Sequence, residues 1–379
     1  MREVYRRTLE LLFGMIAGID LAKTWVAEWV AILRKRRLYM DLSYTSEENQ
    51  RIDDFWRSNY GKRISKRWHR LYQSINGVYN ECYFPEILFT TKLEPRLNAP
   101  HFARLLGDKS LTELLYDRVE GVSFPKTIAV NCSGYYYDET RNVTTEERVI
   151  KRIATEDGFV IKPTLGGSSG KGVMLVTLSG RSRHEREAVV REVLAQYRKN
   201  YIVQEKIRPH KSYERLYPYS INTIRLITYI VEGTVFCAPL ILRMGCGGNT
   251  VDNIHAGGLC VGVSEEGVLK KYGYQLGYGD SKKRHLCHPD TEVVFENYHI
   301  PGVEEIIAAG KRLHGCTPHL GIVSWDLTVD ESGGVVLIEG NYAGQSVWFP
   351  QIANEEPLFG GHTEYFAQVA GGRIKATGK

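Results

Sequence analysis

Two acidic residues and one amide near the C-terminal end are placed to do chemistry together. In "WDLTVDESGGVVLIEGN", Asp326 falls in one apolar run, Glu339 and Asn341 fall in the next, and the turn "ESGG" separates them. Such runs read as the two strands of a hairpin. Glu339 and Asn341 are two apart, so they share one face. A carboxylate on each strand plus an amide oxygen makes a hard, oxygen-only set suited to Mg²⁺ carrying nucleotide phosphates. A cross-strand polar pair in water fits poorly, because both runs are otherwise apolar. Far upstream, "FVIKP" puts Lys162 at the end of an apolar strand. An unpaired ammonium is costly there, so Lys162 calls for an anion.

The glycine-rich stretch after Lys162, "TLGGSSGKG", is neither of two familiar phosphate loops. A P-loop has a Ser or Thr after its lysine, but Lys171 is followed by Gly172, and Leu165 stands where the first glycine belongs. The strand-like "VMLVTL" follows rather than a helix, which also excludes the dinucleotide fingerprint. The stretch therefore reads as a β-hairpin with a flexible loop whose backbone N–H groups can close over phosphates. Loop composition alone leaves a mobile surface hairpin as the other reading.

The elements that must position these residues follow from periodicity. "DKSLTELLYDRV" predicts a short helix, and "SFPKTIAV" a strand. "TTEERVIKRIATEDG" predicts a helix stopped by Gly158. "EREAVVREVLAQYRK" predicts a helix with Val189, Val190, Val193, Leu194 and Tyr197 on one face. "YIVQEKI", "INTIRLITYIV" and "VFCAPLILRMG" read as strands, and "GVEEIIAAGKRLHG" as a helix stopped by Gly315. The chain is α+β with antiparallel hairpins, not a βαβ repeat. Upstream, residues 46–90 read as helical. Trp56, Tyr60, Ile64, Trp68 and Leu71 recur at threes and fours as one buried face, with basic residues between them.

Composition narrows the partners. The 379 residues are 43% hydrophobic and 25% charged, as in ordinary globular proteins. Residues 1–80 hold 15 Lys and Arg against 9 Asp and Glu, so the net charge of +5 comes from this segment and the body carries about −1. That argues against a nucleic-acid surface on the body. Seven scattered cysteines without a CxxC pair favour free thiols and a reducing cytoplasm. Near the N-terminus, Trp25, Trp29, Ile32 and Leu33 fall at helical spacing before the run Arg34, Lys35, Arg36 and Arg37. Glu10, Asp20, Lys23 and Glu28 make this a poor transmembrane span. It reads as an amphipathic helix that packs on its own protein or in a homodimer. The alternative is a weak contact with a membrane surface, which would put the protein at the inner membrane face. Asp20 and Glu28 interrupt the apolar stripe and favour the first reading.

Together, the stretches "EPRLNAPHFARLLGDKS", "FVIKPTLGGSSGKGV", "YIVQEKI", "SINTIRLITY", "LILRMGCGGNTVDNIHAGG", "HPDT" and "SWDLTVDESGGVVLIEGN" resemble the ATP-grasp superfamily over about residues 50 to 365. Within it they most resemble the sugar-transfer-associated branch, related to glutamate-ligating enzymes. The resemblance implies an ATP-grasp fold, with two α+β lobes gripping ATP behind an N-terminal helical region. It divides the chain into a helix at 1–45, a basic-aromatic helical region at 46–107, an N-terminal lobe at 108–200 and a C-terminal lobe at 201–370. Lys109 and Lys162 would hold the α- and β-phosphates. Gly166, Gly167, Ser168, Ser169, Gly170, Lys171 and Gly172 would close over the triphosphate. Gln204, Glu205 and the backbone to Ile207 would read the adenine edge. Asp326, Glu339 and Asn341 would bind one or two Mg²⁺, or Mn²⁺. Arg225 and Arg243 would lie beside the γ-phosphate and the reacting carboxylate. Asn253, His255, Gly257 and Gly258 would line the wall near the acceptor.

Two departures stand out. The acidic ribose contact usual in these enzymes falls at Ser212, where His210 or Glu214 would substitute. The α/β domain that usually precedes the core is replaced by the basic-aromatic helices, so substrate identity does not carry over. The implied chemistry is a carboxylate–amine ligation through an acylphosphate, with small-molecule acid and amine substrates from cell-surface polysaccharide or related biosynthesis. Arg243 would stabilise the transferring phosphoryl group; its alternative is a surface pair with Asp252. His255 would act as a base, contact the acceptor, or serve as a structural hydrogen bonder. The tyrosines of "GYYYD" suit a sugar platform or an ordinary core. A kinase acting on a sugar or polyol hydroxyl and a nucleotide-binding regulator without turnover are the other two classes. Retention of the lysines, arginines and metal ligands disfavours the regulator.

Overall fold

The structure, a computed structural model, describes residues 20–166, 172–254, 257–276 and 282–376. Its smaller sheet has six strands: β1 (Thr127–Cys132), β2 (Tyr135–Asp138), β3 (Val143–Thr144), β4 (Gly158–Pro163), β5 (Met174–Thr177) and β6 (Tyr201–Glu205). They lie in the order β3-β2-β1-β6-β4-β5. All pairs are antiparallel. Strand alternation decides which residues reach the site. Phe159 and Ile161 of β4 point into a core with Ile150, Ile153, Val190 and Leu194 from the helices Glu146–Ile153 and Arg183–Tyr197. Val160 and Lys162 therefore face the opposite way. Thr145 caps the first helix, and Ser182 and Glu185 form a capping box on the second. The first helix ends at Ile153 rather than running to Gly158. Gly158 instead opens β4, where a Cβ would meet the Val176 carbonyl at 2.6 Å.

The larger sheet contains β7 (Thr223–Val231), β8 (Thr234–Cys237), β9 (Leu240–Met244), β10 (Leu259–Val263), β11 (Leu269–Leu276), β12 (Lys282–His285), β13 (Ile322–Val329) and β14 (Val335–Asn341). The order is β12-β11-β10-β9-β7-β13-β14, with β8 also on β7. The single strand expected over "VFCAPLILRMG" is two, β8 and β9, paired with different lengths of β7. Pro239, lying between them, has no N–H to give the ladder. The helix Val303–Gly315 covers one face, burying Leu226, Leu242, Val323, Trp325 and Leu327.

The opposite face carries the N-terminal region. The expected single helical face is split between two helices, Ser46–Asn59 and Arg67–Asn76. Gly61, at φ 94°, lies in the break. Trp56 packs with Phe84, Phe89 and Tyr229, whereas Trp68 and Leu71 pack with Trp348 and Ile241. The helix from Glu86 to Leu97 passes through a π turn at Phe89–Leu93. Pro95 follows that turn and has no N–H for an α-helical bond. At the N-terminal end, a helix over residues 20–34 meets the body at Ile32, and Tyr39 just beyond it is also buried. Arg67 lies 4.4 Å from the Trp29 ring. Among the described residues no helix is long and apolar enough to cross a membrane.

Asn98 brackets this region to the hairpin β13–β14. Its amide nitrogen donates to the carbonyls of Ile322 and Tyr342, each at 2.8 Å. Its oxygen accepts from Gly321 and Ile322 N–H, at 3.0 and 3.1 Å. The side chain is buried, and all four bonds go to backbone. Asn98→Ala removes four buried hydrogen bonds at once; the Gly321 N–H keeps the Leu97 carbonyl and the Ile322 carbonyl keeps the Gln345 amide, while the Ile322 N–H and the Tyr342 carbonyl lose their Asn98 bonds. Denaturant unfolding should show a loss of about 3–5 kcal/mol; a loss below about 1 kcal/mol would mean that other groups take over these bonds.

Candidate active site

A cavity of about 370 Å³ lies between the two sheets, within the usual range of ligand pockets. Val160, Lys162, Leu175, Gln204 and Glu205 line it from the smaller sheet, and Thr223, Arg225, Arg243, Asp326, Glu339 and Asn341 from the larger.

Asp326 sits at its charged centre. The carboxylate is buried and faces two guanidinium groups, Arg225 on the adjacent β7 and Arg243 on β9 one strand further, whose side chains are 15% and 13% exposed. Arg225, directly opposite Asp326 in the β7–β13 register, donates from Nε to Oδ1 and from Nη2 to Oδ2, the latter at 3.0 Å. Arg243 Nη2 lies 3.1 Å from Asp326 Oδ2 and 3.2 Å from Asp252 Oδ2. Arg243 also donates to Thr223 Oγ1, and Thr223 donates to Asp252. The Arg243–Asp252 pair is thus a real contact, but inside the cavity wall and shared with Asp326 rather than on the surface. Burial alone would raise the Asp326 carboxyl; Arg225 and Arg243 overcome that and hold it below the usual carboxylate value. For Asp252 burial wins, and its carboxyl is raised despite Arg243.

A second cluster sits across the hairpin. Glu339 pairs with Asp326 in the β13–β14 register, and a bulge leaves Ile338 as the extra residue. The Lys162 ammonium reaches the Ile338 carbonyl at 3.5 Å. Lys109 Nζ lies 3.0 Å from Glu339 Oε1. Asn341 Nδ2 donates to Asp326 Oδ2 at 3.3 Å. The bulge therefore does two jobs: it turns a ladder carbonyl toward Lys162 and keeps Glu339 and Asn341 beside Asp326. Lys162 is buried, and its amine is lowered to about 8 by burial first, with Glu339 opposing and Lys109 adding to the fall.

The other expected residues divide. Gln204 lines the cavity with its amide donating to the Pro125 carbonyl at 3.1 Å, and Ile207 lines it as well. Glu205 lines it and forms an ion pair with Lys126 at 2.9 Å. Of the two ribose candidates, Glu214 lines the cavity, whereas His210 caps the helix Lys211–Leu216 by accepting the Ser212 N–H. Asn253 lines the cavity, but Gly257 and Gly258 are not among its lining residues. Gly258 answers a packing need, since a Cβ would meet the Met244 carbonyl at 2.6 Å. Tyr135, Tyr136 and Tyr137 form β2, away from the cavity lining. Gly166 and Gly172 are described at φ 72° and 75°. Gly167, Ser168, Ser169, Gly170, Lys171 and His255 lie outside the described residues. Among the described residues no group of three or more His, Cys, Asp and Glu is placed to hold a metal; the set at the hairpin is two carboxylates and an amide.

Sequence reasoning missed the far end of the cavity, where Gly344, Gln345, Ser346, Phe349 and Pro350 line it. Two buried carboxylates from the N-terminal region hold this loop. Glu94 accepts the Gly344 and Gln345 N–H groups at 3.0 and 3.1 Å, and Glu86 accepts that of Val347 at 2.9 Å. Burial pushes the Glu94 carboxyl up to about 7 against these bonds. Glu86 and Glu94 fall in a helical stretch whose partner loop lies some 250 residues away, and no local pattern pairs the two.

The sugar-transfer-associated ATP-grasp family model matches residues 88–365, and the chain belongs to that family. Its two antiparallel sheets and flanking helices are the α+β ATP-grasp fold, preceded by a helical region. No curated protein matches the chain. Among solved structures it is similar to the D-alanyl-alanine synthetase A of Vibrio cholerae, with 13% identity and a TM-score of 0.41, over 72% of this chain and 66% of that one. The VanG D-Ala:D-Ser ligase of Enterococcus faecalis is similar with 16% identity and a TM-score of 0.42, over 72% and 63%. The chain thus spans slightly less than two thirds of each.

The lowered Lys162 amine has a measurable consequence. A bound polyphosphate favours the charged amine, so binding must raise its pKa again. Where the free amine is partly deprotonated, binding takes up a proton, and affinity falls as pH rises through about 8. Calorimetry with a non-hydrolysable ATP analogue in buffers of different ionisation enthalpy should show roughly half a proton or more taken up at about pH 8.5. Lys162→Met should abolish the uptake. Equal uptake in both proteins would move the titration to another group.

Proposed function

We propose that the protein is an ATP-dependent carboxylate–amine ligase that works through an acylphosphate. The observation that carries this is the charge set at one cavity: Arg225 and Arg243 on Asp326, Lys162 beside them, and Glu339, which Lys109 meets from outside the lining. The adenine would lie against Val160, Leu175 and Ile338 and be read by Gln204, Glu205 and Ile207. Glu214 would take the ribose. Lys109 and Lys162 would hold phosphate oxygens, with the loop from Gly166 to Gly172 closing over them.

The hairpin donors fit a hard divalent ion, since each carboxylate already attracts cationic groups and Asn341 adds an amide oxygen. Asp326, Glu339 and Asn341 would hold Mg²⁺, which supplies charge neutralisation on the phosphates. The chain's own residues do the rest by position and charge. Arg225 and Arg243 would orient the substrate carboxylate so that its oxygen attacks the γ-phosphorus as the bond to the ADP oxygen breaks. The same guanidinium groups would stabilise the charge that develops on the phosphoryl oxygens. The amine nitrogen then attacks the acyl carbon, phosphate leaves, and the nitrogen loses a proton; His255 is the base or acceptor contact in this reading. Asn253 and the loop held by Glu86 and Glu94 would shape the acceptor end. Family membership supports an amino acid or sugar acid as substrate, in polysaccharide or related biosynthesis.

Phosphate release should require an acid and an amine together, and hydroxylamine should trap the activated acid as a hydroxamate. Phosphate appearing on the product instead would make the protein a kinase. Glu339→Gln should lower turnover by about a hundredfold or more while the fold persists. Full activity in that folded variant would remove Glu339 from the metal site.

A further inference from the structure

The helix over residues 20–34 meets the body at its C-terminal end and leaves a large apolar surface uncovered. Leu21, Trp25, Val26, Val30 and Leu33 are exposed, Trp25 at 47% and Val26 at 52%. At 3.6 residues per turn these five spread over about half the helix circumference, and Trp29 and the buried Ile32 fall within the same arc nearer the body. Trp25 stacks on Trp29, their ring centroids 5.8 Å apart. Trp29 in turn holds the Arg67 guanidinium. The surface is therefore an aromatic-anchored ridge.

The acidic residues that interrupt this stripe in sequence do not interrupt it in space. Glu28 falls at the edge of that arc, next to Leu21, and is half-buried. It interacts with Lys35 and Glu86, turned toward the body. Asp20 lies at the far end, 3.7 Å from Lys23. At the base of the ridge, Arg34, Arg36 and Arg37 are all exposed. A ridge of tryptophan and aliphatic groups ending in a cationic collar matches the interface of an anionic bilayer: apolar groups enter the acyl boundary and guanidinium groups meet the headgroups. A second copy seated on this ridge would bring its own cationic collar with it.

We propose that residues 20–37 dock the protein on an anionic lipid surface, Leu21, Trp25, Val26, Val30 and Leu33 entering the interface and Arg34, Arg36 and Arg37 binding headgroups. The proposal is independent of the reaction assigned to the cavity. The test is co-sedimentation of the intact chain with vesicles of phosphatidylcholine mixed with phosphatidylglycerol, and with phosphatidylcholine alone. Binding is expected to the anionic vesicles, to weaken steeply with added salt, and to exceed that to the neutral ones. Replacing Arg34, Arg36 and Arg37 together by Gln should weaken it about a hundredfold. Trp25→Ser with Val26→Ser should weaken it about tenfold or more. Circular dichroism should show both variants folded, since these side chains are exposed. The Trp25 emission, taken as the difference from Trp25→Phe, should shift to the blue on the anionic vesicles. No binding, equal binding to neutral vesicles, or binding unchanged in the variants overturns the proposal. A dimer in solution that the Trp25 and Val26 changes dissolve would assign the ridge to a second copy. Protection of Trp25 from acrylamide without vesicles or dimer would assign it to residues 1–19. Either result overturns the lipid reading.

Discussion

The rest of the site depends on how Asp326 is neutralised. A buried carboxylate between two strands is unfavourable alone, and removing one partner of such a pair typically costs about 3–5 kcal/mol. Arg225 and Arg243 meet that need in the free protein, each from its own strand. Arg243 is also tied to Thr223 and Asp252, so the arrangement is braced on three strands and a loop. The free site is thus internally paired. A phosphate would compete with the carboxylates for the cationic side chains, and a divalent ion would compete with those side chains for the carboxylates. Neither exchange alone leaves the buried charges balanced. The two together would, so under the proposed reading nucleotide and metal would enter as one unit.

Part of this was legible in the sequence because it rests on short-range rules. Strand alternation places Lys162 away from Phe159 and Ile161, and the two-residue spacing of Glu339 and Asn341 puts them on one face. Other features are decided by tertiary pairing. The bulge at Ile338 has no marker in "VVLIEGN", and the same letters would form a regular strand in another register. The face from Trp56 to Leu71 looked continuous because its spacing survives a break at Gly61. In space the two halves sit in different clusters. The alternative reading of a surface Arg243–Asp252 pair has the partner right and the exposure wrong for a similar reason: the loop after β9 brings Asp252, nine positions on, back over Arg243, and loop paths are not periodic. His210 looked like a ligand contact, but its side chain accepts a backbone N–H, a local role any N-cap can take.

The N-terminal helices are joined to the catalytic half by polar contacts as well as apolar packing. Phe84 exchanges backbone bonds with the Gln351 amide, and Asn98 bonds four backbone groups around the hairpin. These contacts reach the start of β13, Tyr342 just after Asn341, and the helix Trp348–Asn354. The N-terminal helical region therefore holds one end of the cavity wall in place, although none of its described residues lines the cavity.

Glu86 lies just outside the matched span of 88–365, yet its carboxylate receives the Val347 N–H inside that span. At the other end, Phe366 and Val369 fall beyond the span and sit in the same buried cluster as Trp56 and Phe89. The matched span is thus shorter than the unit that folds. A chain cut to residues 88–365 would keep every charged group of the cavity and lose the floor beneath one end of it. Exchange of parts between relatives would succeed only if the seam were placed outside both of these anchors.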